Sequence, residues 1–212
     1  MLKRIFGFVL LVMFVFPSHG SGQAQNNNWS SFRLRKQITP KTRIDIRPII
    51  RFNKNISSYQ NTSIDVSINH KLGGGWYVQF LARRWFLPNS TDGQFLWPEI
   101  GHQAETKYFA ITNRVRLHYS LNLNEINPSD FIRFQSTIVP YVKWKVKPFL
   151  ALETWYLLDG ENVYRRLRIE PGFNIKLDAL NNLTVMYRRE NTIDVDPSNH
   201  QNHYLLTLTR NI

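Results

Sequence analysis

Apolar and polar residues alternate along most of the chain, most clearly in residues 113–121. There, every second position is apolar and the positions between are polar or charged: Val115, Leu117, Tyr119 and Leu121 alternate with Arg114, Arg116, His118 and Ser120. A period of two residues predicts a β-strand with one apolar and one polar face. Most other segments repeat this pattern, usually with arginine on the polar side, so the sequence predicts an all-β fold.

The alternation divides the chain into strands joined by short polar connections, after a polar leader at residues 25–28. The predicted strands are 29–38, 42–52, 63–72, 76–87, 95–105, 110–123, 131–143, 148–158, 163–177, 183–193 and 204–212. The segment 95–105 is the weakest of them, because Pro98 and Gly101 interrupt it. Bacterial outer-membrane barrels have even strand counts. We therefore expect an antiparallel up-and-down transmembrane β-barrel of about ten strands, with twelve as the alternative.

Connection length and strand length favour a barrel in a membrane. The connections at 39–41, 73–75 and 178–182 are short, whereas those at 53–58, 88–93, 124–130 and 194–201 are longer. Short turns on one rim and long loops on the other are typical of outer-membrane barrels. The predicted strands are also long enough to cross a bilayer at a tilt. Alternation alone does not decide which face points outward, so a soluble periplasmic ligand-binding barrel remains the alternative.

Residues 1–24 have the features of a cleaved signal peptide. Lys3 and Arg4 form a positive region, residues 5–16 are apolar, and small residues lead to a cleavage site after Ala24. The barrel domain then comprises residues 25–212. The chain has no cysteine, which excludes a disulfide framework. Export and the strand pattern together predict the cell outer membrane as the location, with outer-membrane lipid, lipopolysaccharide and the barrel-assembly machinery as partners.

The basic charge does not indicate nucleic-acid binding. The net charge is +12, from 27 basic and 15 acidic residues. The basic residues are spread singly along alternating strands instead of clustering on one helix or loop, and the chain carries an export signal. Both features argue against a nucleic-acid partner.

If the apolar faces contact lipid, the charged faces line the lumen. The predicted lumen-lining residues are Arg33, Arg35, Arg43, Arg47, Arg51, Arg114, Arg116, Arg133, Glu153, Arg166, Arg168, Glu170, Arg188 and Glu190, with Asp45 and Asp65 beside them. These charges either pair and fill the lumen, as a structural role requires, or line a narrow passage or pocket that favours small anionic solutes. The pattern leaves both readings open and indicates no cofactor.

Short motifs along the mature chain resemble a known family. They are Trp29-Ser-Ser followed by the Thr39-Pro-Lys turn, Arg47 and Arg51, Asn113-Arg-Val-Arg-Leu, the strand from Pro148 to Glu153, and Arg166-Leu-Arg168 leading to Gly172. In these the chain resembles a domain-of-unknown-function family of small arginine-rich outer-membrane barrels found in Bacteroidetes. The resemblance implies the fold and the location, and it implies no activity.

An outer-membrane lipid hydrolase is the enzymatic alternative. His118 and Ser120 share one face of a strand, and Glu153 is a carboxylate that would orient the histidine. The His-x-Ser pair is similar to that of outer-membrane lipid A deacylases, but those catalytic groups face lipid, whereas this pair shares a face with arginines. We therefore expect no covalent catalysis. The histidines His102, His200 and His203 are too scattered to predict a metal site.

Overall fold

The computed structural model describes residues 25–53, 58–87, 93–121, 131–158, 164–192 and 200–212, which form one closed β-barrel. Its strands are β1 (Gln25–Gln37), β2 (Thr42–Asn53), β3 (Ser58–Gly73), β4 (Trp76–Phe86), β5 (Gly93–Glu105), β6 (Phe109–Ser120), β7 (Phe131–Pro140), β8 (Val146–Leu157), β9 (Tyr164–Lys176), β10 (Asn181–Thr192) and β11 (His200–Asn211). The predicted signal peptide lies outside the described residues. Within those ranges, no helix has the length and apolarity needed to span a membrane.

Each strand pairs antiparallel with the next along the chain, and β1 closes the barrel by pairing parallel with β11. We call one end of the barrel the turn end, because its connections are the short segments 38–41, 74–75, 106–108, 141–145 and 177–180. The opposite end is the loop end, with connections 54–57, 87–92, 121–130, 158–163 and 193–199. β1 and β11 both run from the loop end to the turn end.

The prediction of an all-β barrel is confirmed, but the expected count of ten strands is wrong. Eleven strands form, and the doubtful segment is the complete strand β5. Pro98 lacks an N–H, and β5 pairs with β6 on either side of it without a change of register, from Leu96 to Glu99. Pro98 therefore disturbs the pairing of β5 with β6 only locally. The alternation in β5 correctly indicated a strand, and the rule of even strand counts was the source of the error. Because the strand count is odd, the closing pair of β1 and β11 is parallel.

β1 also starts earlier than predicted. The polar segment 25–28 is its first part, and Asn28 pairs with Phe52 of β2 and with Tyr204 of β11. Side chains there carry no apolar alternation, so the sequence pattern did not mark them as a strand. Backbone hydrogen bonding to two neighbouring strands extends β1 through this segment nevertheless.

The barrel has its polar residues inside and its apolar residues outside, as β3 shows. Asp65 is only 2% exposed, whereas its neighbour Ile64 is 40% exposed and Val66 is 46% exposed. The same alternation continues through Ser67 and Ile68. A soluble barrel has the reverse arrangement, because its core is apolar. The polar face of each strand is therefore directed at the lumen.

Candidate functional site: the arginine-lined lumen

The lumen contains a cavity of about 1600 Å³ that is lined by side chains from all eleven strands. Its lining extends from Gly74 at the turn end to Asn61 near the loop end. Thirteen of the fourteen residues predicted to line the lumen contribute to this lining. The other one, Glu153, is 1% exposed and is covered by the arginines that bind it. The predicted set is thus brought together in one space.

Glu153 is the most buried carboxylate of the lumen. It accepts hydrogen bonds of 2.8 Å from Arg133 and from Arg168, and one of 2.6 Å from the indole N–H of Trp155. Arg114 lies 3.7 Å from its second oxygen. The strand register explains this cluster, because Arg168 on β9 is the direct cross-strand partner of Glu153 on β8. Burial in a low-dielectric site strengthens such charge-assisted bonds.

The remaining inward carboxylates are also ion-paired. Asp45 pairs with Arg35, Asp65 with Arg47 and Arg83, Glu99 with Arg114 and Arg116, Glu170 with Arg188, and Glu190 with Arg166 and Arg168. Because Arg114 and Arg168 each contact two carboxylates, the pairs join into one lattice across β5 to β10. In this part of the wall the charges pair, and the lumen beside them retains an open cavity.

Three arginines on β1 and β2 have no such partner. Among the described residues, no carboxylate forms an ion pair with Arg33, Arg43 or Arg51. The Nε of Arg43 is buried without a hydrogen-bond acceptor. Arg51 donates to the amide oxygen of Asn61 at 2.6 Å, and its guanidinium carbon lies 4.8 Å from the ring centroid of Trp29. All three side chains line the cavity.

The charge balance of the lumen follows from this distribution. In the part of the chain that the structure describes, twelve arginines line the cavity and six buried or half-buried carboxylates face them, which leaves an excess of six positive charges. Five of the twelve arginines lie on β1 and β2, where Asp45 is the one inward carboxylate. The excess is therefore concentrated on one side of the lumen, which we call the basic wall (Arg33, Arg35, Arg43, Arg47 and Arg51).

Two lumen residues were missed by the sequence-based prediction, and two tryptophans at strand ends also face the lumen. Arg83 binds Asp65 at 2.5 Å and Glu99 binds Arg116, and neither residue was predicted to face the lumen. The period-two pattern of β4 contains the signal for Arg83, since Leu81 and Trp85 line the cavity on either side of it. Strand-end tryptophans typically form a lipid-facing girdle, but Trp29 and Trp85 face the lumen instead.

The arrangement around His118 does not form a catalytic relay. His118 and Ser120 both line the cavity. The imidazole lies among aromatic rings, with its centroid 4.8 Å from that of Trp97 and 5.0 Å from that of Phe95, and neither ring nitrogen has a hydrogen-bond partner. Glu153, the predicted orienting carboxylate, is bound by arginines instead. A general base requires an orienting bond of the kind that His118 lacks here.

The histidines are also distributed unfavourably for metal binding. His102 lies at the turn end, 3.2 Å from the carbonyl oxygen of Gly74, whereas His203 lies near the loop end beside Asn27. Across the ranges that the structure describes, no three His, Cys, Asp or Glu side chains are grouped closely enough to hold a metal ion.

Comparisons with protein-family models and with curated proteins identify no family for this chain, so the function is inferred from the lumen. No protein-family model matches the chain, and no curated protein is significantly similar to it in sequence.

Proposed function

We propose that this barrel spans an outer membrane and admits small anionic solutes to its lumen, as a passage or a binding pocket. The observation that carries the proposal is the basic wall. Arg33, Arg43 and Arg51 face an open cavity without a carboxylate partner among the described residues. A buried charge without a partner is costly, so an anion that enters the lumen gains favourable contacts that the protein itself does not supply.

The apolar outer face supports a membrane location. Along β3 and β6 the outward side chains are apolar and well exposed, for example Ile68 at 44% and Leu117 at 44%. The strands have 10 to 16 residues, and a transmembrane β-strand requires about 9–11 residues at a tilt of roughly 45°. Contiguous apolar surface of this extent is unfavourable in water. The resemblance to small arginine-rich barrels of Bacteroidetes favours the same location, and membership of that family stays a prediction.

The two sides of the lumen suit different roles. On β5 to β10, six arginines are ion-paired to four carboxylates, which stabilises the wall, so this side corresponds to the structural part of the proposal. The basic wall presents guanidinium groups, whose planar donors suit carboxylate and phosphate oxygens. Charged rings of this kind bias a pore toward ions of opposite sign. We therefore favour small carboxylates or phosphates as solutes and propose no covalent chemistry.

Conductance of the purified protein in a planar bilayer tests this function. We expect an anion-preferring current, shown by the sign of the reversal potential in a salt gradient. The double substitution Arg33→Gln and Arg43→Gln removes two arginines that have no ion-pair partner among the described residues, so it weakens the anion preference with little structural loss. The matched control is Arg84→Gln with Arg189→Gln, which removes the same charge from exposed residues outside the cavity lining.

The outcomes separate the passage from its alternatives. A reversal potential that moves toward zero in the lumen double variant and stays unchanged in the control supports the basic wall as the selective element. Absence of anion-preferring current in the parent protein contradicts the passage, and anion binding by titration calorimetry then tests the pocket. Recovery of the protein in a soluble periplasmic extract, without detergent, contradicts the membrane location itself.

A further inference from the structure

Lysine and arginine occupy different parts of this barrel. Twelve arginines line the lumen, whereas Lys71, near the turn-end mouth, is the one described lysine in the cavity lining. The lysines that the structure describes are all exposed and all lie in the turn-end connections or in the strand residues next to them: Lys36, Lys41, Lys71, Lys107, Lys143, Lys145, Lys147 and Lys176. We call these eight the lysine rim. An ammonium group is strongly hydrated and suits a wet interface, whereas guanidinium forms planar paired bonds in confined sites.

Exposed aromatic rings lie at the same end of the barrel. Trp76 is 49% exposed, Tyr108 is 67%, Tyr141 is 48% and Trp144 is 71%. Each lies in a turn-end connection or at the start of β4. Tryptophan and tyrosine favour the level of lipid headgroups, since one part of the ring system is apolar and the other is polar. The lysine rim therefore lies at the level where headgroup phosphates are expected.

The turn end carries an excess of positive charge. Among the described residues there, the eight lysines are accompanied by two carboxylates, Glu105 and Asp178. An excess of this kind at one end of the barrel favours contact between that end and an anionic surface.

We propose that the lysine rim binds the phosphate groups of anionic glycerophospholipids in the leaflet that the turn end contacts. This inference rests on the proposed membrane location and is independent of the anion passage. Charge complementarity supplies the attraction, because basic residues near an anionic membrane surface each contribute about 1 kcal/mol, which is roughly a fivefold change in binding. The aromatic rings fix the rim at the depth where these contacts form.

Tryptophan fluorescence can report on lipid contacts at the turn end of the barrel. The chain has six tryptophans. Trp144 lies in a turn-end connection outside the cavity lining, and Trp76 lies at the turn-end mouth of the lumen, whereas Trp29, Trp85, Trp97 and Trp155 line the lumen farther from the turn end. The full protein is reconstituted into phosphatidylcholine bilayers that contain a small fraction of brominated phosphatidylglycerol or the same fraction of brominated phosphatidylcholine. Bromine quenches only the tryptophans that it contacts, so the comparison reports which headgroup is enriched beside the rim.

The expected result is stronger quenching by phosphatidylglycerol. Replacing Lys41, Lys107, Lys143 and Lys145 with glutamine lowers this preference at least about fivefold, the contribution of a single lysine. Replacement of the same four residues with arginine keeps the charge and keeps the preference. Raising the salt from about 0.1 M to 1 M also removes it, because the screening length falls from about 10 Å to 3 Å.

Equal quenching of the parent protein by both lipids overturns the proposal, as does a preference that persists in the glutamine variant. If the glutamine variant does not fold, the salt series on the parent protein tests the proposal instead. A preference for phosphatidylglycerol that is unchanged in 1 M salt, where the screening length is about 3 Å, then contradicts it. Absence of quenching by either lipid has a different meaning. It contradicts insertion into the bilayer and therefore the proposed membrane location, whereas equal quenching leaves that location intact.

Discussion

Arg168 donates a hydrogen bond of 2.8 Å to Glu153 across the β8–β9 pair, in which the two residues are direct register partners. The Nε of the same guanidinium donates at 2.6 Å to Glu190 on β10. One arginine therefore links carboxylates on the strands at both sides of it. This bridging links the ion pairs of Glu99, Glu153 and Glu190 into a continuous lattice, so the loss of one carboxylate weakens the charge balance of several arginines at once.

Glu153→Gln should destabilise the barrel strongly. Glutamine keeps the size of the side chain but leaves the buried Arg133 without the carboxylate that it pairs with, and it removes one of the two carboxylates that Arg168 contacts. Breaking a buried pair on one side costs about 3–5 kcal/mol. Equilibrium unfolding in urea, followed by tryptophan fluorescence in lipid vesicles, measures the change. Glu105→Gln at the exposed turn end is the control, with an expected change within about 0.5 kcal/mol, and equal effects of the two variants would contradict this reading of the lattice.

Arg43→Gln, by contrast, should not destabilise the barrel. Arg43 has a buried Nε without an acceptor and no carboxylate partner among the described residues. An unsatisfied buried donor costs about 1–3 kcal/mol, so its removal should leave the free energy of unfolding unchanged or raise it by about 1 kcal/mol. Arg168→Gln is the paired counterpart and should lower that free energy by about 3 kcal/mol. Similar losses in both variants would show that Arg43 is satisfied in the folded protein.

The orientation of the barrel is testable because the chain has no cysteine. Given the proposed membrane location, we expect the loop end to face the outside of the cell, as in outer-membrane barrels with long external loops. A bulky, membrane-impermeant maleimide should then label Ser58→Cys, an exposed residue at the loop end, in whole cells. Lys145→Cys in a turn-end connection should react only after the outer membrane is permeabilised. Labelling of Lys145→Cys alone in whole cells would reverse the orientation.

The turn between β9 and β10 should show a dependence on pH. The carboxylate of Asp178 accepts hydrogen bonds from the Asn181 side chain and from the backbone N–H groups of Leu180 and Asn181, which lowers its pKa below the ordinary value of 3.8. Because the folded pKa lies below the unfolded one, the stabilisation is complete above about pH 4 and is lost as the pH falls through the folded pKa.

Asp178→Ala tests this dependence by comparison with the parent protein. The difference in unfolding free energy between the two should be constant near neutral pH and should shrink as the pH falls below about 4. Urea titrations at a series of pH values measure it. Thr106→Ala is the control, in the turn between β5 and β6. Its hydroxyl contacts the backbone of Tyr108 and Phe109 and does not titrate, so the difference for this variant should not change with pH.

The sequence predicts the wall of this barrel better than its ends. Strands such as β3 and β6 alternate so regularly that inward residues, including Arg114 and Arg116, follow from the period alone. The first part of β1 could not be found this way, because a polar segment held by backbone hydrogen bonds leaves no side-chain period. The predicted strand count was wrong for another reason. The general rule of even strand numbers does not hold for this barrel, whereas the alternation in β5 does indicate a strand.

Charge pairing within the lumen was not predictable from one sequence. Alternation shows that Arg43 and Arg168 face inward, but it does not show that Arg168 meets two carboxylates while Arg43 meets none. That difference depends on cross-strand register, which a short period-two pattern specifies only to within a shift of two residues. The separation of lysine from arginine, by contrast, is present in the sequence and becomes visible once the turns are located.

The parallel seam between β1 and β11 constrains any rearrangement of the chain. In a barrel with an even strand number the first and last strands are antiparallel, so their outer ends meet on one rim and a short peptide can join them. Here Gln25 and Asn211 lie at opposite rims. A circularly permuted version would need a linker that follows the full height of the wall, on the order of 12 residues at about 3.3 Å each. A tag at each end of the folded domain would likewise lie at opposite rims of the barrel.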